Sequence, residues 1–154
     1  MKLPTKALTN EELSNLAKQL KIPLLGVFMK DEIPKLNGDC CGIINFQTTH
    51  QLGSHWSCFY IKDGVKYYFD SFGETPPPAL IKRLKTTQEI KNSTPVIRQS
   101  SVQVQQDNST ECGSLCLWVL FHSQKLSFDK IIQTLLERYI KAGQGIPAPL
   151  HCNV

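Results

Sequence analysis

The sequence predicts an α+β domain, a mixed central sheet with a buried helix packed against it, and three observations carry that expectation. Short β-branched or alternating segments gather between residues 42 and 69, around an Asp63-Gly64 dipeptide. The segment from about Glu111 to His122 is apolar nearly all round, the mark of a helix buried on every side. Amphipathic helical patterns lie at both ends, so helices and strands are grouped rather than alternating as in a parallel-sheet fold.

Residues 9–20, TNEELSNLAKQL, repeat Leu13, Leu16, Ala17 and Leu20 at helical spacing; Thr9 or Asn10 can cap them, and Pro23 stops them. Residues 24–29 form a short apolar run, a candidate buried strand or loop, and Pro34 and Asn37-Gly38 mark irregular chain. Residues 42–46, 55–61 and 66–69 read as strands, the last two joined by the Asp63-Gly64 turn. Thr75-Pro-Pro-Pro introduces a short helix at 79–84, and 96–104 reads as one or two more strands. Asn108 and Glu111 resemble a capping box at the start of the buried helix. A final amphipathic helix covers 128–140, and the tail after about 143 reads as irregular.

At 154 residues, with 41% hydrophobic and 19% charged residues, the chain suits one globular domain over 1–154. The N-terminal stretch is too polar for a secretory signal, and no apolar run is long enough for a bilayer. A reducing cytosolic or nuclear setting is therefore expected, with Cys40, Cys41, Cys58, Cys112, Cys116 and Cys152 as thiols. The net charge of +4 is scattered; small basic clusters at 82–85 and 138–141 read as solvated faces rather than a nucleic-acid footprint.

The chemistry centres on Cys112. It stands where the polar turn QDNSTE meets the N-terminus of the buried helix, and unpaired N–H groups and the helix dipole favour a thiolate there. The amides of Cys112 and Gly113 are also placed to face a developing oxyanion, with Gly113 admitting substrate backbone. Cys116, one turn further on, and Cys58, Cys40 and Cys41 read as packing residues. Of the four histidines, His122 is about two and a half turns from Cys112, too far to serve it; His151 is in the tail. His50 and His55 precede or open a strand. If Asp63-Gly64 is a two-residue turn, Lys62 faces Val65 and Ser57 faces Asp70. His55 and Asp70 then become diagonal neighbours on one face. A one-residue slip would separate them. Cys112 as nucleophile, His55 as base and Asp70 as its orienting carboxylate make the cysteine version of a catalytic triad.

The strings LGSHWSCFY, YYFDSFGETPP and VQQDNSTECGSLCLWVLF resemble the adenain-like cysteine proteases. These are the maturation proteases of adenoviruses and of virophage and Maverick/Polinton elements, which share a fold with SUMO-deconjugating proteases. The resemblance covers most of the chain before Phe128. It implies a thiol endopeptidase with His55, Asp70 and Cys112 in those roles, Trp56 sheltering the site, and a glutamine supplying an oxyanion donor. Seven residues before the cysteine, as in the adenovirus branch, is Gln105; six, as in SUMO proteases, is Gln106. The Asn108-Ser109 match favours Gln105. The resemblance further implies cleavage of viral capsid precursors at Gly-containing sites, by a monomer acting in host cytoplasm or nucleus and packaged in the virion. Viral DNA and a peptide activator are cofactors in the adenovirus branch. This chain has no cysteine between Cys58 and Cys112 to bond such a peptide, and its residues ask for no cofactor or metal.

Three other readings compete: a ubiquitin-like protein deconjugase, an acetyltransferase on the same triad, and a cysteine-rich zinc or scaffold domain. Cys40, Cys41, Cys112 and Cys116 lack the paired C-x₂-C spacing of structural zinc sites.

Overall fold

A computed structural model describes residues 2–46, 55–85 and 95–142. His50, the tail after 143, His151 and Cys152 lie outside the described residues.

Helix α1 (Asn10–Gln19) starts at Thr9, whose hydroxyl accepts from the Glu12 amide at 3.1 Å while the Glu12 carboxylate accepts from the Thr9 amide at 3.1 Å. This reciprocal cap satisfies two of the donors that a helix start leaves open. The chain leaves the helix through Lys21, in the left-handed region at φ 58°, before Pro23 is reached.

Strands β1 (Leu24–Met29), β2 (Cys40–Asn45), β3 (Trp56–Lys62), β4 (Val65–Phe69) and β5 (Ile97–Gln99) form one sheet in that order. The two outer pairs, β1–β2 and β4–β5, are parallel and the inner pairs are antiparallel, so the sheet is mixed. Lys62 pairs with Val65 across Asp63 and Gly64, whose φ values of 53° and 76° suit the tight hairpin turn read from the sequence. Asp39 secures the turn from outside, its carboxylate accepting from the amides of Asp63 (2.7 Å) and Gly64 (3.2 Å). In the 96–104 region only β5 forms. Beyond it Val104 donates to the Ser71 carbonyl at 2.8 Å, drawing the chain across the end of β4 instead of along it.

The alternation of β3 and β4 sorts their side chains to two cores. Trp56, Cys58, Tyr60 and Phe69 pack with α1, α3 (Cys112–His122) and α4 (Phe128–Ala142). Phe59 and Tyr68 pack with Ile33, Ile44 and helix α2 (Pro78–Leu84) on the other face. All residues of α3 from Cys112 to Leu120 are buried, as its apolar composition requires. Among the described residues no helix is long and apolar enough to cross a membrane.

Gly73 closes the turn that follows β4, donating to the Asp70 carbonyl at 2.9 Å with φ 78°. A Cβ there would lie 2.6 Å from the Ser101 carbonyl oxygen, whereas Gly38, at φ 68°, faces open space. Gly38→Ala carries backbone strain alone, on the order of 1 kcal/mol, and Gly73→Ala adds a backbone clash. Thermal melting is expected to fall by several degrees more for Gly73→Ala, at roughly 2–4 °C per kcal/mol. Equal losses at the two positions would contradict this account of the turn.

Candidate active site

His55 lies one residue before β3, where its carbonyl accepts from the Phe46 amide at 2.9 Å and prolongs the ladder with β2. Asp70 lies one residue beyond β4. Cys58 pairs with Phe69, so the register sets His55 and Asp70 diagonally at the open end of the hairpin. His55 Nε2 and Asp70 Oδ2 are 2.7 Å apart, and Asp70 Oδ1 accepts from the Phe72 amide at 2.8 Å. Asp70 is 1% exposed, so its charge has little solvent around it and its oxygens are spoken for by these donors. Phe46 and Phe72 flank the imidazole at 5.7 and 5.3 Å between ring centroids.

Cys112 opens α3 and is 7% exposed. Asp70 and Cys112 are the groups whose hydrogen bonding and charge act on the His55 ring. With Nε2 on Asp70, Nδ1 is the ring nitrogen left for a sulfur. Burial disfavours the imidazolium, but the hydrogen bonds and charges of Asp70 and Cys112 outweigh it and raise the His55 pKa to about 9.

The start of α3 differs from the expected capping box. Glu111 is itself the N-cap residue and makes no side-chain cap. Asn108 therefore falls in the turn before the helix. There Ser109 accepts from the Glu111 amide at 3.1 Å and donates to the Gln106 carbonyl through its own amide at 3.0 Å.

Gly113 is buried and meets a packing demand of its own. A Cβ on it would meet Leu13 Cδ2 at 3.1 Å, Trp56 Cδ1 at 3.3 Å and Leu8 Cβ at 3.5 Å, so glycine lets α3 pack against α1 and Trp56. Trp56 is 4% exposed and its indole donates to the Leu8 carbonyl at 3.0 Å, which fixes the ring beside His55. The N-terminal segment is held from the same region by Thr110, which donates to the Thr5 carbonyl, and by Ser114, which donates to the Pro4 carbonyl.

The two candidate glutamines differ in what holds them. Gln105 is 1% exposed; its carboxamide oxygen accepts from Ser71 at 2.6 Å and its nitrogen donates to the Ser109 carbonyl at 2.8 Å. Both ends of its carboxamide thus brace the loop between Asp70 and Cys112. Gln106 is only partly buried.

Sequence reasoning missed the ion pair directly behind the nucleophile. Glu111, 2% exposed, receives Arg138 from α4, with one guanidinium nitrogen 3.0 Å from each carboxylate oxygen. Twenty-seven residues separate the partners, and the only sequence signal was an acidic residue beside a candidate nucleophile.

Cys40, Cys41, Cys58, Cys112 and Cys116 are free thiols. Burial pushes the Cys41 thiol up to about 12, with Cys58 and Cys40 adding to it, and burial likewise raises Cys116. Among the described residues no group of three or more His, Cys, Asp or Glu side chains is arranged to hold a metal.

The chain, with its helices around a five-stranded mixed sheet, shares its fold with the crystal structure of the Se-Met ASFV pS273R protease. The two superpose with a TM-score of 0.55 at 19% identity, over 85% of this chain and 63% of that one. The chain thus spans less than two thirds of the length of that protease. AvrA delL154 with IP6 and CoA aligns over 88% of this chain and 55% of its own, at 18% identity and a TM-score of 0.41. No protein-family model matches the chain, and no curated protein does.

Two outcomes are expected from this geometry. A His55 pKa of about 9, raised above the ordinary 6.5, means that the imidazolium contributes stability in full below about pH 6.5 and loses it as pH rises through about 9. A proton NMR titration of His55 should show the high midpoint, and Asp70→Asn should lower it; a midpoint unchanged by Asp70→Asn would remove the carboxylate from the site. Separately, Arg138→Met leaves a buried carboxylate without its cation, at a cost of about 3–5 kcal/mol. Glu111→Gln/Arg138→Met should recover much of that in a denaturant melt, and a double variant no better than the single would dissolve the pairing.

Proposed function

We propose that this chain is a cysteine endopeptidase with Cys112 as nucleophile, His55 as general base and acid, and Asp70 as the carboxylate that orients and charges the imidazole. The observation that carries the reading is the His55 Nε2–Asp70 Oδ2 contact of 2.7 Å together with the influence of Cys112, the first residue of α3, on the same ring. The Cys112 sulfur attacks the scissile carbonyl carbon, and the carbonyl electron pair moves onto oxygen. The amides at the start of α3 and a carboxamide stabilise that oxyanion. His55 Nδ1 gives its proton to the departing amine, which leaves a thioester; the same nitrogen then takes a proton from the attacking water, and the thioester collapses to acid and thiolate.

Gln106, six residues before Cys112, is taken as the carboxamide at the oxyanion; Gln105, whose oxygen accepts from Ser71 and whose NH2 gives one of its two N–H groups to Ser109, is the alternative. Trp56 packs close against Gly113 at the start of α3, and crowding there is what favours glycine or another small residue before the scissile bond. On the family resemblance, the substrates are capsid precursors of a virus or mobile element, cut during particle maturation. A deconjugase for ubiquitin-like proteins is the second reading, favoured by the six-residue spacing from Gln106 to Cys112, the spacing of SUMO proteases.

Cys112→Ala should abolish cleavage and leave the melting temperature within a few degrees of the parent; appreciable residual activity would end the reading. Gln106→Ala should lower turnover about a hundred- to a thousandfold. Gln105→Ala should chiefly lower thermal stability, and the opposite ranking would return the oxyanion role to Gln105. A capsid-precursor peptide with a Gly-X-Gly site, run against SUMO and ubiquitin fusions, separates the two substrate classes: faster cleavage of the fusions at their diglycine ends selects the deconjugase.

A further inference from the structure

Beside the catalytic base lies a groove of about 420 Å³ that the triad chemistry does not use. Phe46 forms one side, and Thr75, Pro76, Pro77 and Ala79 contribute much of the rest. Phe46 belongs to the groove and to the active site at once: its ring lies 5.7 Å from that of His55 and its amide donates to the His55 carbonyl. No residue of α3 lines the groove, so it joins the site on the imidazole side and not on the side where the acyl group stays bound to Cys112.

Resting on the protease reading, we propose that this groove is the subsite for an aromatic or branched aliphatic side chain of the leaving segment, about two or three residues beyond the scissile bond. The direction follows from the chemistry. His55 hands its proton to the departing amine, so the leaving peptide begins against the imidazole and continues past Phe46. An extended chain advances about 3.3–3.6 Å per residue, which sets the distance in residues. The preference for an apolar side chain follows from the walls. Prolines 76, 77 and 78 have no backbone N–H to offer a polar ligand, and Phe46 presents a ring face. The charged groups at the groove, Lys30 and Asp31, are of opposite sign and give it no net preference for a charged residue. The volume accommodates a large side chain with its flanking backbone.

The test is a proteome-derived peptide library digested by the unaltered protein, by Ala79→Phe and by Thr75→Trp, with the new ends sequenced. Ala79 is half-buried on α2 and Thr75 is exposed before it, so the two variants fill the groove from different places. The unaltered protein should enrich Phe, Leu, Ile or Tyr two or three residues after the cut. Each variant should reduce that enrichment on the order of tenfold while the preference before the cut stays the same. Absence of enrichment after the cut, or enrichment that survives both variants, overturns the subsite and leaves the protease standing. Failure of the unaltered protein to cut any peptide overturns the protease reading and the subsite with it.

Discussion

The two-residue turn at Asp63 and Gly64 governs what happens some twenty ångströms away at the other end of the hairpin. It sets Lys62 opposite Val65, and every later pair follows, to Cys58 opposite Phe69. A slip of one residue would exchange the two faces of a strand, sending His55 toward one core and Asp70 toward the other. It would also drive Tyr68 and Phe69, each 1% exposed now, into each other's cores, so the packing of both cores enforces the register that the site needs. The Asp39 carboxylate adds a third restraint by binding both turn amides, from a residue just before β2. Catalytic geometry is thereby fixed by the most heavily buried part of the molecule rather than by a loop.

The nucleophile is placed by a different set of forces. Helix α3 is apolar all round, so it lies buried, with its start at the end of the sheet where His55 and Asp70 emerge. Burying that start brings polar groups inward, and each finds a partner from a distant part of the chain. Glu111 meets Arg138 of α4, and Ser114 and Thr110 reach the N-terminal segment. Ser71 and Ser109 grip Gln105 between them. Buried polar groups left without partners are costly, so these contacts specify one arrangement of the loop before Cys112. The same logic makes Gly113 a packing requirement of α1, Trp56 and Leu8 as well as a neighbour of the nucleophile.

Electrostatically the site turns on the His55 imidazole. Burial alone would favour its neutral form; the hydrogen bonds and charges of Asp70 and Cys112 reverse that and hold the pKa at about 9. At Cys41 and Cys116 burial works in the other direction and raises both thiols, which disfavours their thiolates.

Much of this was legible in the sequence because it rests on local rules. The Thr9–Glu12 cap, the Asp63-Gly64 turn, the alternation of β3 and the all-apolar α3 are each encoded within a few residues, and the diagonal placement of His55 and Asp70 is arithmetic from the turn. Where that arithmetic stopped, tertiary contacts decided. Asn108 and Glu111 have the spacing of a cap, yet the helix starts later because Glu111 is drawn to Arg138, 27 residues away. Gln105 and Gln106 are the same residue type one position apart, and no local rule distinguishes them. Ser71 and Ser109 engage Gln105 because the chain after β5 folds back across the end of β4. The sequence by itself determined the hairpin, the helices and the diagonal placement of His55 and Asp70, since turn chemistry and hydrophobic period act at short range. Only the tertiary structure decided which polar groups brace the nucleophile, because partners for buried charges and amides come from wherever the folded chain happens to pass.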